Sequence, residues 1–308
     1  MRALKPLLMK LHRWAALITA PVLLLIVLSG MVLAFKPIVQ MGAKASVDVP
    51  ALITALDQAD PQGRAGVLTM ASDGKSFELS SRRSGSAGSF DAQTGAKIGE
   101  AGFDVFNFAR ELHVSLLLGA RWLVTTVTII SVLIILTGFS GRWTKFRPTL
   151  SGWHVNLGWL SWPLVALTPV TGMLMALHLG MPGMPHNAGM SGHSSSYGAK
   201  RSLPVAQVLE VASKEVDLSK LIQVRNFRGG GVMLNVLDGL QPRQYVVSGS
   251  GEVTRTEGPG WVRMLHEGTW AGAWSGVFTL ISTFPLLGLL VTGSLKWLRR
   301  NTPPRPQS

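Results

Sequence analysis

Residues 11–31 read LHRWAALITAPVLLLIVLSGM, and residues 153–173 read WHVNLGWLSWPLVALTPVTGM. Each stretch has a histidine at the start of a long apolar run and a hydroxyl–glycine–methionine triplet near its end. His12 is matched with Ser29-Gly30-Met31, and His154 with Thr171-Gly172-Met173. Sixteen residues separate histidine from triplet in both. A helix rises about 1.5 Å per residue, and about 20 apolar residues cross a bilayer. Both stretches therefore read as membrane spans. Two further runs match more loosely: Leu112-His113 with Thr137-Gly138, and Leu265-His266 with Thr292-Gly293. The expected spans are residues 14–35, 116–139, 155–179 and 270–295. The chain reads as two copies of one unit, so the expected fold is a membrane α-helical four-helix bundle built from a two-fold internal repeat.

The composition agrees. Of 308 residues, 47% are hydrophobic and only 15% charged, against about one-quarter charged in a soluble domain. No cysteine is present, which excludes disulfides, thiolate zinc sites, cysteine-held iron–sulfur clusters and covalent c-type haem. Zinc on histidine and carboxylate stays open. A net charge of +13 would suggest nucleic acid on a soluble protein. Here the basic residues sit where topology is decided, so the expected partner is the lipid bilayer and not nucleic acid. Arg2, Lys5, Lys10 and Arg13 precede the first span. Arg142, Lys145 and Arg147 lie between the second and third, and Lys296, Arg299, Arg300 and Arg305 end the chain. All 16 acidic residues fall in the two long segments 36–115 and 180–269. The positive-inside rule then places both termini in the cytoplasm and both long segments outside. In a bacterial inner membrane, outside means the periplasm. The first apolar run is long for a signal peptide, and no small-x-small site follows cleanly, so it is expected to be a retained helix.

The outer segments carry alternating patterns. In the second, residues 203–219 have helical spacing. Runs at 221–224, 232–236 and 244–247 then alternate between turn signals, as an antiparallel meander does. The first repeats the plan: a helix at 49–59, strands at 67–70 and 77–80, and Phe90-Asp91-Ala92-Gln93-Thr94-Gly95 running into a turn. Two small α+β modules are expected.

Histidine placement suggests the chemistry. If spans 1 and 3 pack together, His12 and His154 share one depth. If spans 2 and 4 pack together, His113 and His266 share another, near the opposite face. Two facing imidazoles can ligate a haem iron from both sides. Arg13, Arg142, Arg110, Arg121 and Arg263 stand near the ends where propionates would lie, and Trp14, Trp153, Trp159, Trp261 and Trp270 offer surfaces for the macrocycle. His178, at the outer end of span 3, is an alternative to His113 or His266. Interfacial His and Trp also serve as plain membrane anchors, but anchors need no matched depth on alternate helices. Between span 3 and the second module, Met181, Met184, His186, Met190 and His193 lie in a Gly/Pro/Ser-rich run. Thioether and imidazole ligands suit Cu(I), but the irregular spacing favours a linker with incidental Met and His.

At these residues the chain resembles the PepSY-associated transmembrane family, which includes iron-regulated inner-membrane proteins and ferric-siderophore reductases. Leu11-His12-Arg13-Trp14 with Leu28-Ser29-Gly30 is similar to its first span, and Leu112-His113 with Leu136-Thr137-Gly138 to its second. Trp153-His154 with Val170-Thr171-Gly172 is similar to its third, and Leu265-His266-Glu267-Gly268 with Val291-Thr292-Gly293 to its last. Ser89-Phe-Asp-Ala-Gln-Thr-Gly95 resembles the terminal strand and turn of a PepSY module, and Val246-Val-Ser-Gly-Ser-Gly251 a degenerate second copy. The outer modules are on this basis PepSY-like. The resemblance implies two b-type haems and electron transfer to a ferric siderophore outside, reducing Fe(III) to Fe(II). The chain carries no dinucleotide glycine fingerprint, so a quinol or a cytoplasmic reductase is the expected donor. The implied organisation is an N-terminus and first span over 1–36 and a first module over 37–112. Spans 2 and 3 then occupy 113–180, the Met/His run and second module 181–265, and the last span and tail 266–308. A haem-dependent copper reductase and a haem-free interaction protein are the competing readings.

Overall fold

The computed structural model describes residues 4–40, 45–81, 85–100, 102–139, 145–179, 203–226, 231–239, 241–256 and 260–301. The chain begins with α1 (Leu4–Gln40), followed by α2 (Val49–Ala59), β1 (Val67–Met70), β2 (Ser76–Ser81), β3 (Gly85–Asp91) and β4 (Lys97–Gly99). Two helices return along α1: α3 (Val105–Ser115) and α4 (Arg121–Gly138). The second half runs α5 (Leu150–Leu160), α6 (Trp162–Ala176), α7 (Val205–Ala212), β5 (Leu221–Asn226), β6 (Val232–Asp238), β7 (Gln241–Val247), β8 (Val253–Arg255), α8 (Trp261–Glu267) and α9 (Ala273–Asn301).

Three helices are long and apolar enough to cross a membrane: α1 over Leu4–Val39, α4, and α9 over Ala273–Arg299. α5 and α6 pass that test only together, as a pair bent by 69°. The chain is thus a membrane protein of a few apolar helices with a β-sheet region. Its helical part has the polarity expected in lipid. Ile18, Leu133, Leu136 and Phe284 face outward, while Ser29, Ser131, Thr171, Ser275, Thr279 and Ser282 are buried. With no water to satisfy them, these hydroxyls bond to backbone carbonyls, those of their own helices except for Ser275, which donates to Gly268 O and Gly272 O just ahead of α9. Thr279 Oγ1 donates to Ser275 O at 2.9 Å and Ser29 Oγ to Leu25 O at 2.7 Å. α1 packs chiefly on α9, α4 and α3, and α6 on α4, α9 and α8.

The strands form one antiparallel sheet of eight, in the order β4-β3-β2-β1-β5-β6-β7-β8. The two expected modules are therefore not separate bodies. β1 and β5 pair at the seam, with Val67 opposite Arg225, Leu68 opposite Val224 and Thr69 opposite Gln223. Gln223 Nε2 also donates to Thr69 Oγ1 at 3.1 Å. α2 and α7 pack together, and both contribute to a single core with the sheet. The α2 residues Leu52, Ala55 and Leu56 are buried, as are Val205, Val208, Leu209 and Ala212 of α7. Leu68, Phe77, Leu79, Val224 and Leu234 from the strands complete this core. α2 starts where its sequence dictates: Asp48 caps it by accepting from the Ala51 N–H at 3.2 Å, with proline in the first turn.

Two expected spans differ from the observed helices, and the histidine before the last span lies on a short helix of its own. The run 116–139 is broken before Arg121, so His113 lies on the separate helix α3, which ends at Leu116 in a left-handed conformation (φ 54°). The run 155–179 breaks at Ser161. His266 lies on α8, which ends at Gly268 (φ 64°), where a side chain would also collide with Thr279.

Candidate cofactor site: two histidine pairs

The structure brings the four span-end histidines together in two pairs. His12 of α1 and His154 of α5 have ring centroids 6.4 Å apart, with ring planes at 72°. His113 of α3 and His266 of α8 have centroids 6.0 Å apart, with planes at 49°. Neither pair arises as expected from neighbouring spans. The main neighbours of α1 and α6 are the same two helices, α4 and α9. Each pair therefore forms across the space those helices enclose.

Each ring is held in the same way. His12 Nδ1 donates to Ile134 O at 2.8 Å, His113 Nδ1 to Ile26 O at 2.9 Å, and His266 Nδ1 to Thr168 O at 3.1 Å. A carbonyl only accepts, so the proton is on Nδ1 and the lone pair on Nε2. His154 Nδ1 meets Thr292 Oγ1 at 2.9 Å. That hydroxyl already donates to Gly288 O at 2.7 Å, so it accepts from the ring and fixes the same tautomer. All four imidazoles thus leave Nε2 free to act as a ligand, with the second nitrogen anchored as metal-bound histidines require.

The hydroxyl–glycine pairs noted in the sequence form the seats of these rings. Ser29 lies 3.3 Å from His113 Nδ1, Thr137 3.4 Å from His12 Nδ1, and Thr171 3.1 Å from His266 Nδ1. A Cβ on the adjoining glycine would lie 3.1 Å from the His113 ring at Gly30, 3.3 Å from His12 at Gly138, 3.0 Å from His266 at Gly172 and 3.2 Å from His154 at Gly293. Ordinary carbon contacts are about 3.5–4.0 Å. Each glycine is therefore the space in which an imidazole sits. Each seat comes from the same half of the chain as its histidine, and the pairing joins the halves.

The two levels are well separated. Ile26, whose carbonyl anchors His113, is fourteen positions on from His12, and Thr168, which anchors His266, is fourteen positions on from His154. At about 1.5 Å per residue, the pairs stand about 21 Å apart along the helices.

The other expected residues are placed as follows. Arg13 is exposed, with its guanidinium 5.7 Å from the Trp14 ring centre. Arg110 pairs with Glu111 at 3.2 Å and Arg263 with Glu267 at 2.8 Å. Arg121 is exposed at the start of α4. His178 is exposed in a left-handed turn (φ 57°) beyond α6, and it is His113 and His266 that are paired. Trp14, Trp153, Trp261 and Trp270 are exposed on the helix surface, an orientation that suits an interfacial belt rather than a macrocycle wall. Arg142, Met181, Met184, His186, Met190 and His193 lie outside the described residues. β1 and β5 join the two modules edge to edge.

Sequence reading missed three features. Half-buried Lys36, near the outer end of α1, acts electrostatically with Asp104, Arg110, Arg263 and Glu267. Two buried hydroxyls, Thr168 Oγ1 and Thr269 Oγ1, have no hydrogen-bond partner. A shallow apolar cleft of about 330 Å³ lies between α6 and α8, lined by Trp162, Ala166, Val170, Trp261 and Leu265 among others. Lys36 was legible as a cation at a span end, whereas the hydroxyls and the cleft depend on packing alone.

The match to known proteins covers almost the whole chain: the family model of the PepSY-associated TM region fits residues 9–300. The protein belongs to that family. No curated protein matches it. Both histidine pairs and all four of their seats lie within the family region.

Proposed function

We propose that this family member is a di-haem b oxidoreductase of the bacterial inner membrane, with four spans closing into a bundle as a two-fold repeat and both termini in the cytoplasm. The observation that carries the proposal is the spacing within each pair. A metal–imidazole bond is about 2.0–2.1 Å, and about 1.1 Å more reaches each ring centre, so a metal midway between two rings sets the centroids about 6.3 Å apart. The pairs measure 6.4 and 6.0 Å. Among the described residues no third His or carboxylate joins either pair. Two imidazoles without further protein ligands suit a metal whose other positions are filled by a macrocycle.

When bound, b-type haems supply one-electron carriage, here from a quinol or cytoplasmic donor to a ferric siderophore outside, whose Fe(III) becomes Fe(II). The chain does the rest. His12 and His154 hold the inner centre, and His113 and His266 the outer one. Backbone carbonyls and Thr292 fix the ring tautomers. The seat glycines let the rings sink into the helix surface, and the apolar helices exclude water. A ferric chelate is large and polar and stays at the outer surface, where Lys36, Arg110 and Arg263 stand.

The absorption spectrum of the purified protein tests this reading. A Soret band with sharp reduced α-bands is expected, as is reoxidation of the dithionite-reduced protein by a ferric siderophore, with Fe(II) appearing in a chelator trap. Colourless protein from haem-replete cells would refute it.

A further inference from the structure

The two ends of the helical region differ in their charges. At the outer level, Lys36, Arg110 and Arg263 are met by Asp104, Glu111 and Glu267, and both arginines are ion-paired. At the inner level no carboxylate is close in sequence, since all 16 lie between residues 48 and 267, in the outer segments. One cation there is positioned by structure. Lys296 follows Thr292 by one turn of α9, and Ser151 precedes His154 by one turn of α5. Lys296 Nζ donates to Ser151 Oγ at 2.9 Å, and Thr292 Oγ1 accepts from His154 Nδ1 at 2.9 Å. These two parallel links tie α9 to α5. They hold the ammonium about one helical turn, roughly 5–6 Å, from the inner pair. Among the described residues, Lys296 is the cation whose charge acts on both His12 and His154.

We propose that Lys296 is a positioning residue that sets the potential of the inner centre. Its ammonium, oriented by Ser151, raises the midpoint potential of the group held by His12 and His154 and leaves the outer centre unaffected. The inference rests on the haem reading above. A bis-imidazole centre that accepts one electron loses one unit of positive charge and needs no proton. A fixed cation nearby therefore favours the reduced form, and does so strongly where the surroundings are apolar. The outer level lies about 21 Å away along the helices, against roughly 5–6 Å for the inner pair, so the Coulomb effect of the ammonium is several-fold weaker there, and the charges at that level are balanced.

The test is a spectroscopic redox titration of the intact purified protein, with the two waves assigned by His12→Ala and His113→Ala. Lys296→Met should move the inner wave to lower potential and leave the outer wave, the haem content and the α-band position unchanged. Lys296→Arg should keep the inner wave near its original place. Ser151→Ala keeps the charge but releases it, and should lower the inner wave by a smaller amount. This variant carries the test if Lys296→Met fails to assemble. An inner wave unmoved in Lys296→Met, or in Ser151→Ala where that variant carries the test, overturns the inference, as does an equal shift of both waves. Wild-type protein without haem sinks the functional reading itself, whereas a coloured protein with an unmoved wave sinks only the role of Lys296.

Discussion

Replacing Gly172 by alanine tests whether the hydroxyl–glycine pairs are seats for the rings or merely small residues in a helix interface. The new Cβ would lie 3.0 Å from His266 Cε1, 3.5 Å from Nδ1 and 3.7 Å from Nε2. Restoring an ordinary contact of about 3.6 Å needs a ring shift of about 0.6 Å. The Nδ1–Thr168 O bond is already 3.1 Å long, and a shift of that size takes it past the roughly 3.2 Å limit of a good hydrogen bond. The ring then loses its anchor and its alignment with His113. Overpacking of this kind costs about 1–3 kcal/mol, or roughly 5- to 150-fold in retention of a group held between the rings. The assay is haem content per protein, with the spectrum resolved into two centres. Gly172→Ala should lose or weaken the outer centre and spare the inner one. Gly99→Ala is the control, because a Cβ there meets nothing within 4 Å. Full occupancy and unshifted bands in Gly172→Ala would show that the glycine serves helix packing alone.

The remaining predictions concern the pairs, the topology, the seam and one pH-sensitive turn. His12→Ala or His154→Ala should remove one haem and His113→Ala or His266→Ala the other, while His178→Ala should leave both; unchanged haem content in all four paired variants refutes the ligand assignment. Reporter fusions at Arg147 and at the C-terminus should read as cytoplasmic and a fusion near Ser195 as outside, and an outside signal at Arg147 overturns the topology. Leu68 is fully buried at the seam, so Leu68→Ala should cost about 2–5 kcal/mol and lower hydrogen-exchange protection in β5 and β6 as well as in β1. Asp91 accepts from the Thr94 N–H and hydroxyl and the Gln93 N–H, which hold its carboxyl below the ordinary range. A depressed folded pKa gives stability that is present above the unfolded value and lost as pH falls through the folded one. The turn at 91–95 should therefore loosen in acid below about pH 4, and Asp91→Asn should remove that pH dependence in amide-exchange measurements.

How legible the fold was depended on the kind of signal. The elements at 49–59 and 67–70 follow from local periodicity and caps, and the structure places α2 and β1 on those residues. The short edge strands β4 and β8 carry three residues each, too few for an alternating pattern to register. The β1–β5 seam could not be read either, because pairing between halves leaves no local trace. It depends on Leu68 and Val224 meeting across more than 150 residues. For the candidate site, the recurrence of His with Ser/Thr-Gly picked out the four histidines and the hydroxyl–glycine pairs that contact them, but hydropathy gave no sign that His113 and His266 stand on short helices of their own. The left-handed turns at Leu116 and Gly268 separate these helices from the spans that follow. A stretch such as Leu116-Leu-Leu gives no breaker signal of its own.

The third span shows where matched sequence stops implying matched structure. Each half has a proline nine residues after its inner histidine, Pro21 and Pro163, and a hydroxyl seven residues after it, Thr19 and Ser161. Both hydroxyls donate to the carbonyl four residues back, at 2.7 Å for Thr19 and 2.5 Å for Ser161. Yet α1 continues through Pro21, while the other half bends by 69° between α5 and α6. A proline ring crowds the residue before it and removes one backbone donor, so it weakens a helix wherever it stands. The neighbouring residues decide the outcome. Before Pro21 comes Ala20, with Ala16 one turn earlier. Before Pro163 comes Trp162, with Gly158 one turn earlier. Glycine lowers helix stability by up to about 1 kcal/mol relative to alanine, and the bulky indole gains space when the helix opens. The bend also lets one span serve two neighbours. α5 brings His154 to its seat on α9, while α6 carries the His266 seat toward α8. A third helix as straight as α1 should tilt one of those seats away from its ring. Trp162→Ala together with Gly158→Ala would impose the composition of the first half, and it should weaken one histidine pair while leaving the other and the β-sheet intact. Retention of both pairs in that variant would show that the bend is incidental to how the rings are held.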